Sequence, residues 1–257
     1  MHQHRKVNYL FPGIDAATRA KLKLDDVAMY SVTDQRTADA ISRRILRFAP
    51  PSAHVTNATA CVGGNTWSFA KHFDHVTAVE HDPTRYQYLV HNLGVLAVRN
   101  VTPIMGDALN VLFSRKRTKA AANVVFIDPP WGGPDYKLAT RLSLSLSGVP
   151  MSSILDKLAD TAHVIAIKVP VNFDTEALVR DTRRVELASI DKFKRMHLLV
   201  FIPRRPKSQQ GPRRTTRLTT TTARDQAFRR NAPVPPPGPG GRAIAEAPGA
   251  GPSGPGG

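Results

Sequence analysis

Residues 123–137 read NVVFIDPPWGGPDYK, an apolar run that leads into an aspartate, two prolines, a tryptophan and two glycines. The apolar part, residues 123–128, predicts a β-strand that is central in a sheet and buried on both faces. A strand interior excludes proline, so the strand must end where the two prolines begin. Such an ending is either an awkward turn or a platform for a flat ligand.

Short apolar segments on both sides of this strand alternate with helical patterns. Further strands are predicted at 54–60, 76–81, 101–107, 163–170, 184–190 and 197–202, and helices at 33–49, 66–73, 83–97, 152–162 and 173–182. The first of these helices has Thr33 as its expected N-cap and one apolar face, formed by Ala38, Ile41, Ile45 and Phe48. Repeated strand–helix units indicate an α/β fold with a mostly parallel, doubly wound sheet and helices on both faces. The last two strands are expected to pair antiparallel at the sheet edge.

Composition divides the 257-residue chain into three predicted parts. Residues 1–52 are expected to form a helical extension that covers the ligand site, and residues 53–202 to form the α/β domain. Residues 203–257 hold ten Lys/Arg, and 16 of the last 27 residues are Pro or Gly. This tail is predicted to be disordered, because it cannot bury enough apolar surface to offset its chain entropy. Whether its Arg/Thr-rich half contacts nucleic acid or serves solubility or localisation stays open.

The formal net charge of +16 favours polyanionic partners, most simply nucleic acid, through a basic surface and the tail. The single cysteine, Cys61, excludes an intrachain disulfide and is typical of an intracellular compartment, nuclear or cytoplasmic. The N-terminal residues lack the apolar segment of a signal peptide, so secretion is not expected. No apolar run approaches 18 residues, so no membrane span is expected either.

Three other predicted strand ends carry glycines or acids. The first strand leads into residues 61–66, where Gly63 and Gly64 let the backbone approach a ligand and aim helix N–H groups at it. The second ends at Glu80, which could accept hydrogen bonds from both ribose hydroxyls. Alternatively Glu80 is a surface acid, although Asp82 suits a helix cap better. The third ends at Asp107, which is either a contact for an adenine amino group or a helix N-cap.

The order of these strand ends, followed by Asp-Pro-Pro-Trp, is typical of a Rossmann-like methyltransferase that uses S-adenosylmethionine to methylate an exocyclic amine. A nicotinamide dehydrogenase is disfavoured, because the predicted α/β domain, residues 53–202, lacks G-x-G-x-x-G. The lone pair of such an amine is conjugated into its ring, so acceptors must orient it, and the Asp128 carboxylate and the Pro129 carbonyl suit this task. Trp131 offers a π-face on which a base can stack, worth roughly 1–3 kcal/mol. A positively charged base would gain cation–π attraction in addition. The alternative for Trp131 is a core position.

Three stretches resemble a known family, the trimethylguanosine synthases or RNA cap guanine-N2 methyltransferases. DPPWGGPDY (128–136) is similar to the family's (S/N/D)PPWGGPDY, and NATACVGGNT (57–66) is similar to its D-A-x-C-G-V-G-G-N-T. Residues 10–41 resemble the family's N-terminal stretch with Trp-Phe-Ser-Val-Thr. The resemblance covers roughly residues 9–202, and the compact chain is most like viral or protist members. It implies methylation of N2 in the 7-methylguanosine cap of RNA. Separately, we expect a monomer without a bound metal.

The resemblance also implies residue roles. The catalytic residues would be Asp128, Pro129 and Trp131. The substrate would contact Trp131, Pro130, Lys21 and Lys23, the two lysines at the cap phosphates. S-adenosylmethionine would contact Tyr30, Thr33, Asn57, Thr59, Gly63, Gly64, Asn65, Thr66, Glu80 and Asp107. Three positions depart from the family pattern, with Asn57 for an acid, Cys61 for a glycine and Met29 for a tryptophan, and they put cofactor affinity in question.

Two alternatives stay open. Asp-Pro-Pro-Trp alone also permits methylation of another nucleic-acid amine, such as N6 of adenine or N2 of an internal guanine. Asn57 and Cys61 also permit a cap- or RNA-binding module without catalysis. The Gly-Gly-Pro-Asp-Tyr continuation and the N-terminal stretch favour the cap.

Overall fold

The computed structural model describes residues 2–114 and 123–204, without the side chains of residues 2–5, 123 and 134. Apart from Pro203 and Arg204, the predicted disordered tail lies outside these residues. The described residues all belong to one compact unit, Met1–Gln209. The domain boundaries expected at residues 52 and 202 stay predictions.

Seven strands form one sheet, and two short strands form a separate hairpin. The sheet strands are β1 (His54–Asn57), β2 (His75–Glu80), β3 (Val101–Met105), β4 (Asn123–Ile127), β7 (Val164–Pro170), β8 (Val185–Lys192) and β9 (Met196–Pro203), and the hairpin strands are β5 (Ser145–Leu146) and β6 (Val149–Pro150). The α-helices are α1 (His2–Leu10), α2 (Ala16–Arg19), α3 (Asp26–Ser31), α4 (Gln35–Leu46), α5 (Gly64–His72), α6 (Pro83–Val95), α7 (Ala108–Leu112), α8 (Met151–Leu158) and α9 (Thr175–Asp181). A 3₁₀ helix spans Pro134–Leu138.

The strand order in the sheet is β3-β2-β1-β4-β7-β9-β8. Strands β3, β2, β1, β4 and β7 are parallel, whereas β9 runs antiparallel to both β7 and β8. This arrangement confirms the predicted α/β fold and its antiparallel edge pair. The chain reverses its direction of winding between β1 and β4, and doubly wound sheets bind their ligands in the crevice at this point.

The two central strands separate two apolar cores, because successive residues of a strand point to opposite faces of the sheet. Phe126 and Ala166 face α4 and α5, where they pack with Ile41 and Phe69. In β4 and β7, the residue that follows each of these two points to the opposite face of the sheet and belongs to the other core, beside α7, α8 and α9. Residues 124–127 are fully buried, which confirms that β4 is the buried central strand.

The predicted N-cap of the first helix was wrong. Helix α4 begins at Gln35, and its N-cap is Asp34, whose carboxylate accepts the N–H of Thr37 at 3.1 Å. The Thr33 hydroxyl, one residue earlier, is bound by two side chains from the sheet and α5 instead. The predicted apolar face is present in the helix, except that Phe48 lies beyond the last helical residue.

The segment before α4 folds onto the helical layer rather than apart from it. Phe11, Met29 and Val32 form a third apolar core with Val62 and Trp67, which flank the turn after β1. The guanidinium of Arg19 donates to two backbone carbonyls of this segment, at 2.8 and 3.2 Å. These contacts place the N-terminal segment beside the crevice. None of the helices in the described ranges has both the length and the apolarity to cross a membrane.

Candidate active site

Three polar residues meet at the carboxyl ends of neighbouring strands. The register pairs Asn57 with Phe126, so two residues further Thr59 lies beside Asp128. It pairs Ile127 with Ile167, so one residue further Asp128 lies beside Lys168. The Thr59 hydroxyl accepts the backbone N–H of Asp128 at 2.8 Å. The Lys168 ammonium donates to Asp128 Oδ2 at 2.6 Å. The loop after β4 is therefore held from both sides at its first residue.

Lys168 is a residue of the candidate site that sequence reasoning missed. Its side chain is nearly buried, and its ammonium binds the Thr33 hydroxyl at 3.0 Å as well as Asp128. The same ammonium lies 5.3 Å from the centroid of the Trp131 ring. A lysine in an otherwise apolar strand, Val-Ile-Ala-Ile-Lys-Val-Pro, is the signal that could have identified it, because lysine is almost never buried without a partner.

Asp128 sits in a mixed environment. Its side chain is 15% exposed, and burial raises the pKa of its carboxyl, while the charge of Lys168 acts in the opposite direction. Lys168 binds Oδ2, and no donor in the described part of the chain binds Oδ1. The structure therefore leaves one carboxylate oxygen free to accept a hydrogen bond from a ligand.

Trp131 is partly a core residue and partly exposed, so it combines the two alternatives that the sequence left open. The indole is half-buried and packs against both main cores, and its edge meets Tyr136 at 5.1 Å between ring centroids. Its Nε1 is buried and has no hydrogen-bond partner among the described residues. Gly132 and Gly133 after it have φ angles of 90° and 81°, a region that favours glycine, and a Cβ on either would meet no atom within 4 Å. Trp131 is thus anchored along one edge, and its loop is open beyond it.

The turn after β1 uses its two glycines differently. Gly63 has φ 103° and serves as the N-cap of α5. Gly64 is needed for space, because a Cβ there would lie 2.8 Å from Val32 Cγ1 and 3.1 Å from the Thr33 carbonyl oxygen. Its close neighbour is therefore the N-terminal segment of the same chain. Cys61 has φ 49°, which strains any residue with a Cβ, so the family's glycine at this position has a backbone reason.

Two asparagines and a threonine line this turn. Asn57 is fully buried and donates to the Thr66 hydroxyl at 3.0 Å, so the residue that replaces the family's acid ties β1 to α5. Asn65 donates to Thr33, and its Oδ1 is buried without a partner in residues 2–114 and 123–204. An orphaned acceptor beside the first turn of α5, whose N–H groups have no partner within the helix, suits a ligand with an ammonium and a carboxylate. The amino-acid end of S-adenosylmethionine has both groups, so this turn fits that cofactor.

Glu80 and Asp82, at the end of β2, accept different hydrogen bonds. Glu80 is buried and accepts the backbone N–H groups of Cys61 and Asp82 at 2.8 and 2.9 Å. Asp82 is the N-cap of α6 and accepts the N–H of Arg85 at 2.8 Å, the role that its sequence position favoured. Burial raises the pKa of the Cys61 thiol to about 12, and the negative charge of Glu80 adds to this. The carboxylate of Glu80 thus shapes the turn, and its contact with a ribose stays a prediction.

Asp107 is the N-cap of α7, where it accepts the N–H of Asn110 at 3.0 Å. The hydroxyl of Ser147, at the tip of the β5–β6 hairpin, donates to its other oxygen. These two hydrogen bonds, the Ser147 bond first, hold the pKa of Asp107 below its ordinary value. Its contact with an adenine amino group stays a prediction as well.

Four predicted site residues lie at the surface. Tyr30 is 84% exposed, with Lys6 over its ring, and is not brought to the turn. Lys21 and Lys23 are exposed, but their backbone is docked on α6 by His91 and Asn92, at 2.8 Å each. Pro130 is exposed beside the buried Pro129. The structure therefore gathers Thr33, Thr59, Asn65 and Asp128 around Lys168, and leaves these four residues around the rim.

The described sequence and geometry are similar to those of known methyltransferases. A model of the RNA cap guanine-N2 methyltransferase family matches residues 53–224. A trimethylguanosine synthase of Schizosaccharomyces pombe is 33% identical over 158 residues, 60% of this chain and 65% of that protein. An uncharacterised protein of Acanthamoeba polyphaga mimivirus is 28% identical over 195 residues, 66% of this chain and 75% of that protein. A putative methyltransferase of Porphyromonas gingivalis shares the fold, with a TM-score of 0.59 at 14% identity over 79% of this chain and 48% of that chain. The match thus spans just under two thirds of the fission yeast protein.

Proposed function

Because the chain belongs to the RNA cap guanine-N2 methyltransferase family, we propose that it methylates the exocyclic N2 amine of the 7-methylguanosine cap of RNA. The observation that carries the proposal is the loop after β4. Its Asp128 is held at the crevice by Thr59 and Lys168, with one carboxylate oxygen free. The products would be 2,7-dimethylguanosine and, with a second transfer, 2,2,7-trimethylguanosine.

Asp128 and Pro129 would bind the amine that receives the methyl group, on what we call the acceptor side of the crevice. The free oxygen of Asp128 and the backbone carbonyl of Pro129 accept the two N–H groups of the amine, which orients its lone pair toward the methyl group. The amine becomes acidic as it gains a methyl group, so a weak base is enough to take its proton. Positioning of two reacting groups near contact supplies much of the rate of such a displacement.

Trp131 would hold the base. The indole is anchored by the two cores and Tyr136, so a base can stack on it without a loss of side-chain freedom. Stacking on an aromatic side chain is worth roughly 1–3 kcal/mol, and the positive charge of 7-methylguanine strengthens it. Lys21 and Lys23 would meet the cap phosphates, and the basic surface and tail would meet the RNA.

The turn after β1 would hold the cofactor. S-adenosylmethionine, when bound, supplies the methyl group of its sulfonium centre, which leaves the sulfur with the electron pair of the broken bond. Asn65 Oδ1 and the first N–H groups of α5 would bind the amino-acid end. Glu80 would reorient toward the ribose, and Asp107 would lie near the adenine.

Mass analysis of the products from S-adenosylmethionine and 7-methyl-GTP tests this function. We expect a gain of one or two methyl groups on 7-methyl-GTP and none on unmethylated GTP. Equal activity on both nucleotides, or modification of a DNA oligomer alone, would refute the cap as substrate. Absence of S-adenosylhomocysteine binding by calorimetry would support a module without catalysis instead.

A further inference from the structure

Lys168 raises a question that the proposed reaction leaves open. Its side chain is 9% exposed, and a charge at such a site is costly unless it is paired. A leucine or valine in its place would complete the core next to Leu198, which lies beside it on β9. A lysine here therefore has a role other than packing.

The contacts of the ammonium indicate that role. Lys168 binds one oxygen of Asp128 at 2.6 Å and the Thr33 hydroxyl at 3.0 Å. Thr33 in turn accepts from Asn65 at 3.1 Å, at the cofactor turn. One ammonium thus joins the loop after β4 to the segment that covers the turn after β1.

The other charged groups around this site already have partners. Asp34, just before α4, accepts the N–H of Thr37, and Asp39, within α4, accepts the Ser68 hydroxyl. On β8, Asp191 pairs with Arg44 at 2.8 Å. Among the described residues, Asp128 is the one acid that Lys168 contacts, and Trp131 is the aromatic ring beneath its charge.

We propose that Lys168 is a positioning residue for methyl transfer, which keeps Asp128 an ionised hydrogen-bond acceptor with one oxygen turned toward the amine. The proposal rests on the proposed function and adds to it the residue that sets the charge and rotamer of Asp128. A protonated carboxyl keeps only a weaker, neutral acceptor and carries an O–H donor on its other oxygen, which an amine that itself donates cannot use.

The sign of the pH effect follows from the charges. Burial raises the pKa of Asp128, and Lys168 lowers it. Without the ammonium, the carboxyl would stay protonated to higher pH, and activity would be lost as the pH falls through the raised pKa. Removal of a positive charge this close to a largely buried carboxyl should strongly favour its protonated form, so Lys168→Met should lose roughly 10-fold or more in kcat/KM at pH 7 and recover toward pH 9.

The first experiment compares kcat/KM between pH 6 and 9.5 for the full-length chain and Lys168→Met, with 7-methyl-GTP as substrate. Because 7-methylguanine itself loses a proton in this range, the ratio of variant to wild type is the quantity to use. We expect this ratio to rise with pH, and Lys168→Arg to restore most of the activity. Lys157→Met, which removes an exposed lysine on α8, is the matched control and should leave the ratio constant. A pH-independent ratio for Lys168→Met would overturn the proposal.

A second variant keeps the test decisive if Lys168→Met folds poorly. In Asp128→Asn the amide would turn its oxygen to Lys168 and its NH₂ to the substrate amine, so activity should drop. Adding Lys168→Met frees the amide oxygen for the amine and relieves the buried unpaired charge. The double variant should therefore exceed Asp128→Asn in kcat/KM, and a further loss in the double variant would contradict the proposal.

The two proposals fail in different ways. If wild type leaves 7-methyl-GTP unmodified, the proposed function fails. The pKa of Asp128 can still be followed by ¹³C NMR of aspartate-labelled protein, with Asp128→Asn as the assignment control. An Asp128 carboxyl that titrates at the same pH with and without Lys168 would exclude the role of Lys168 regardless of substrate.

Discussion

The two sides of the crevice treat their polar groups differently. On the cofactor side, Glu80 accepts two backbone N–H groups, Asn57 holds Thr66, and Asp107 caps α7 and binds Ser147. On the acceptor side, Asp128 keeps one oxygen free. The first side organises its own loops and leaves only the remaining lone pairs of these groups to a ligand. The second side presents its groups outward and relies on a buried lysine for support. Mutations on the acceptor side should therefore act on cap binding and turnover, and those on the cofactor side on affinity for the cofactor.

Asp128→Ala should have the largest effect. It removes the acceptor for the amine, and loss of one such preorganised hydrogen-bonding group costs on the order of 10²–10³-fold in kcat. Calorimetry with S-adenosylhomocysteine should show little change, provided that the protein is folded. Asp74→Ala, an exposed aspartate before β2, is the control and should keep full activity. A large loss of cofactor affinity in Asp128→Ala would break the division between the two sides.

Trp131→Ala should come next. Loss of the stacking face weakens cap binding by about 1–3 kcal/mol, which appears as a rise in KM for 7-methyl-GTP. Because the indole is half-buried, unfolding stability should fall as well, by about 2 kcal/mol. Trp131→Phe keeps a ring in the cores and should restore most of the stability with part of the affinity. If Trp131→Ala loses stability but not cap affinity, the indole is a core residue alone.

Gly64→Ala should act on the cofactor side. Its Cβ would overlap Val32 and crowd the Thr33 carbonyl, so the N-terminal segment must move away from the turn. Overpacking of this kind costs about 1–3 kcal/mol, and we expect weaker S-adenosylhomocysteine binding in calorimetry with a smaller change in kcat. Gly94→Ala in α6, where a Cβ meets no atom within 4 Å, is the control and should raise the melting temperature slightly. Unchanged affinity in Gly64→Ala would show that the segment is not part of the cofactor site.

Cys61→Gly should have the smallest effect, and it should be a gain. At φ 49° a residue with a Cβ is strained by about 1–2 kcal/mol, part of which glycine loses again through chain entropy. We expect a melting temperature higher by a few degrees and slightly tighter S-adenosylhomocysteine binding. Ala97→Gly, at φ 52° after α6, should gain stability without a change in affinity. A loss of stability in Cys61→Gly would show that the thiol makes a favourable contact in the turn.

Much of the fold was predictable because its signals are local. The parallel sheet and its antiparallel edge pair were predicted from the apolar run of β4, from the alternation of strands with helices, and from the glycines and prolines that end these elements. Boundaries moved by up to four residues, since helix and strand ends depend on tertiary contacts. Thr33 was free to cap α4 by its sequence, yet Lys168 and Asn65 bind its hydroxyl, and Asp34 caps the helix instead.

Part of the candidate site was also predictable from the sequence. The sequence by itself determined that Asp128 and Trp131 follow a buried strand and that a glycine turn follows a second strand. Strand ends and turns depend on the types of neighbouring residues in the chain, so they can be recognised from the sequence. Only the tertiary structure decided what these groups contact. Register across β1, β4 and β7 brings Thr59, Asp128 and Lys168 into one row, although they are separated by 69 and 40 positions in the chain. The charge and free valence of Asp128 depend on that row, because electrostatic and hydrogen-bond interactions follow distance in space rather than distance along the sequence.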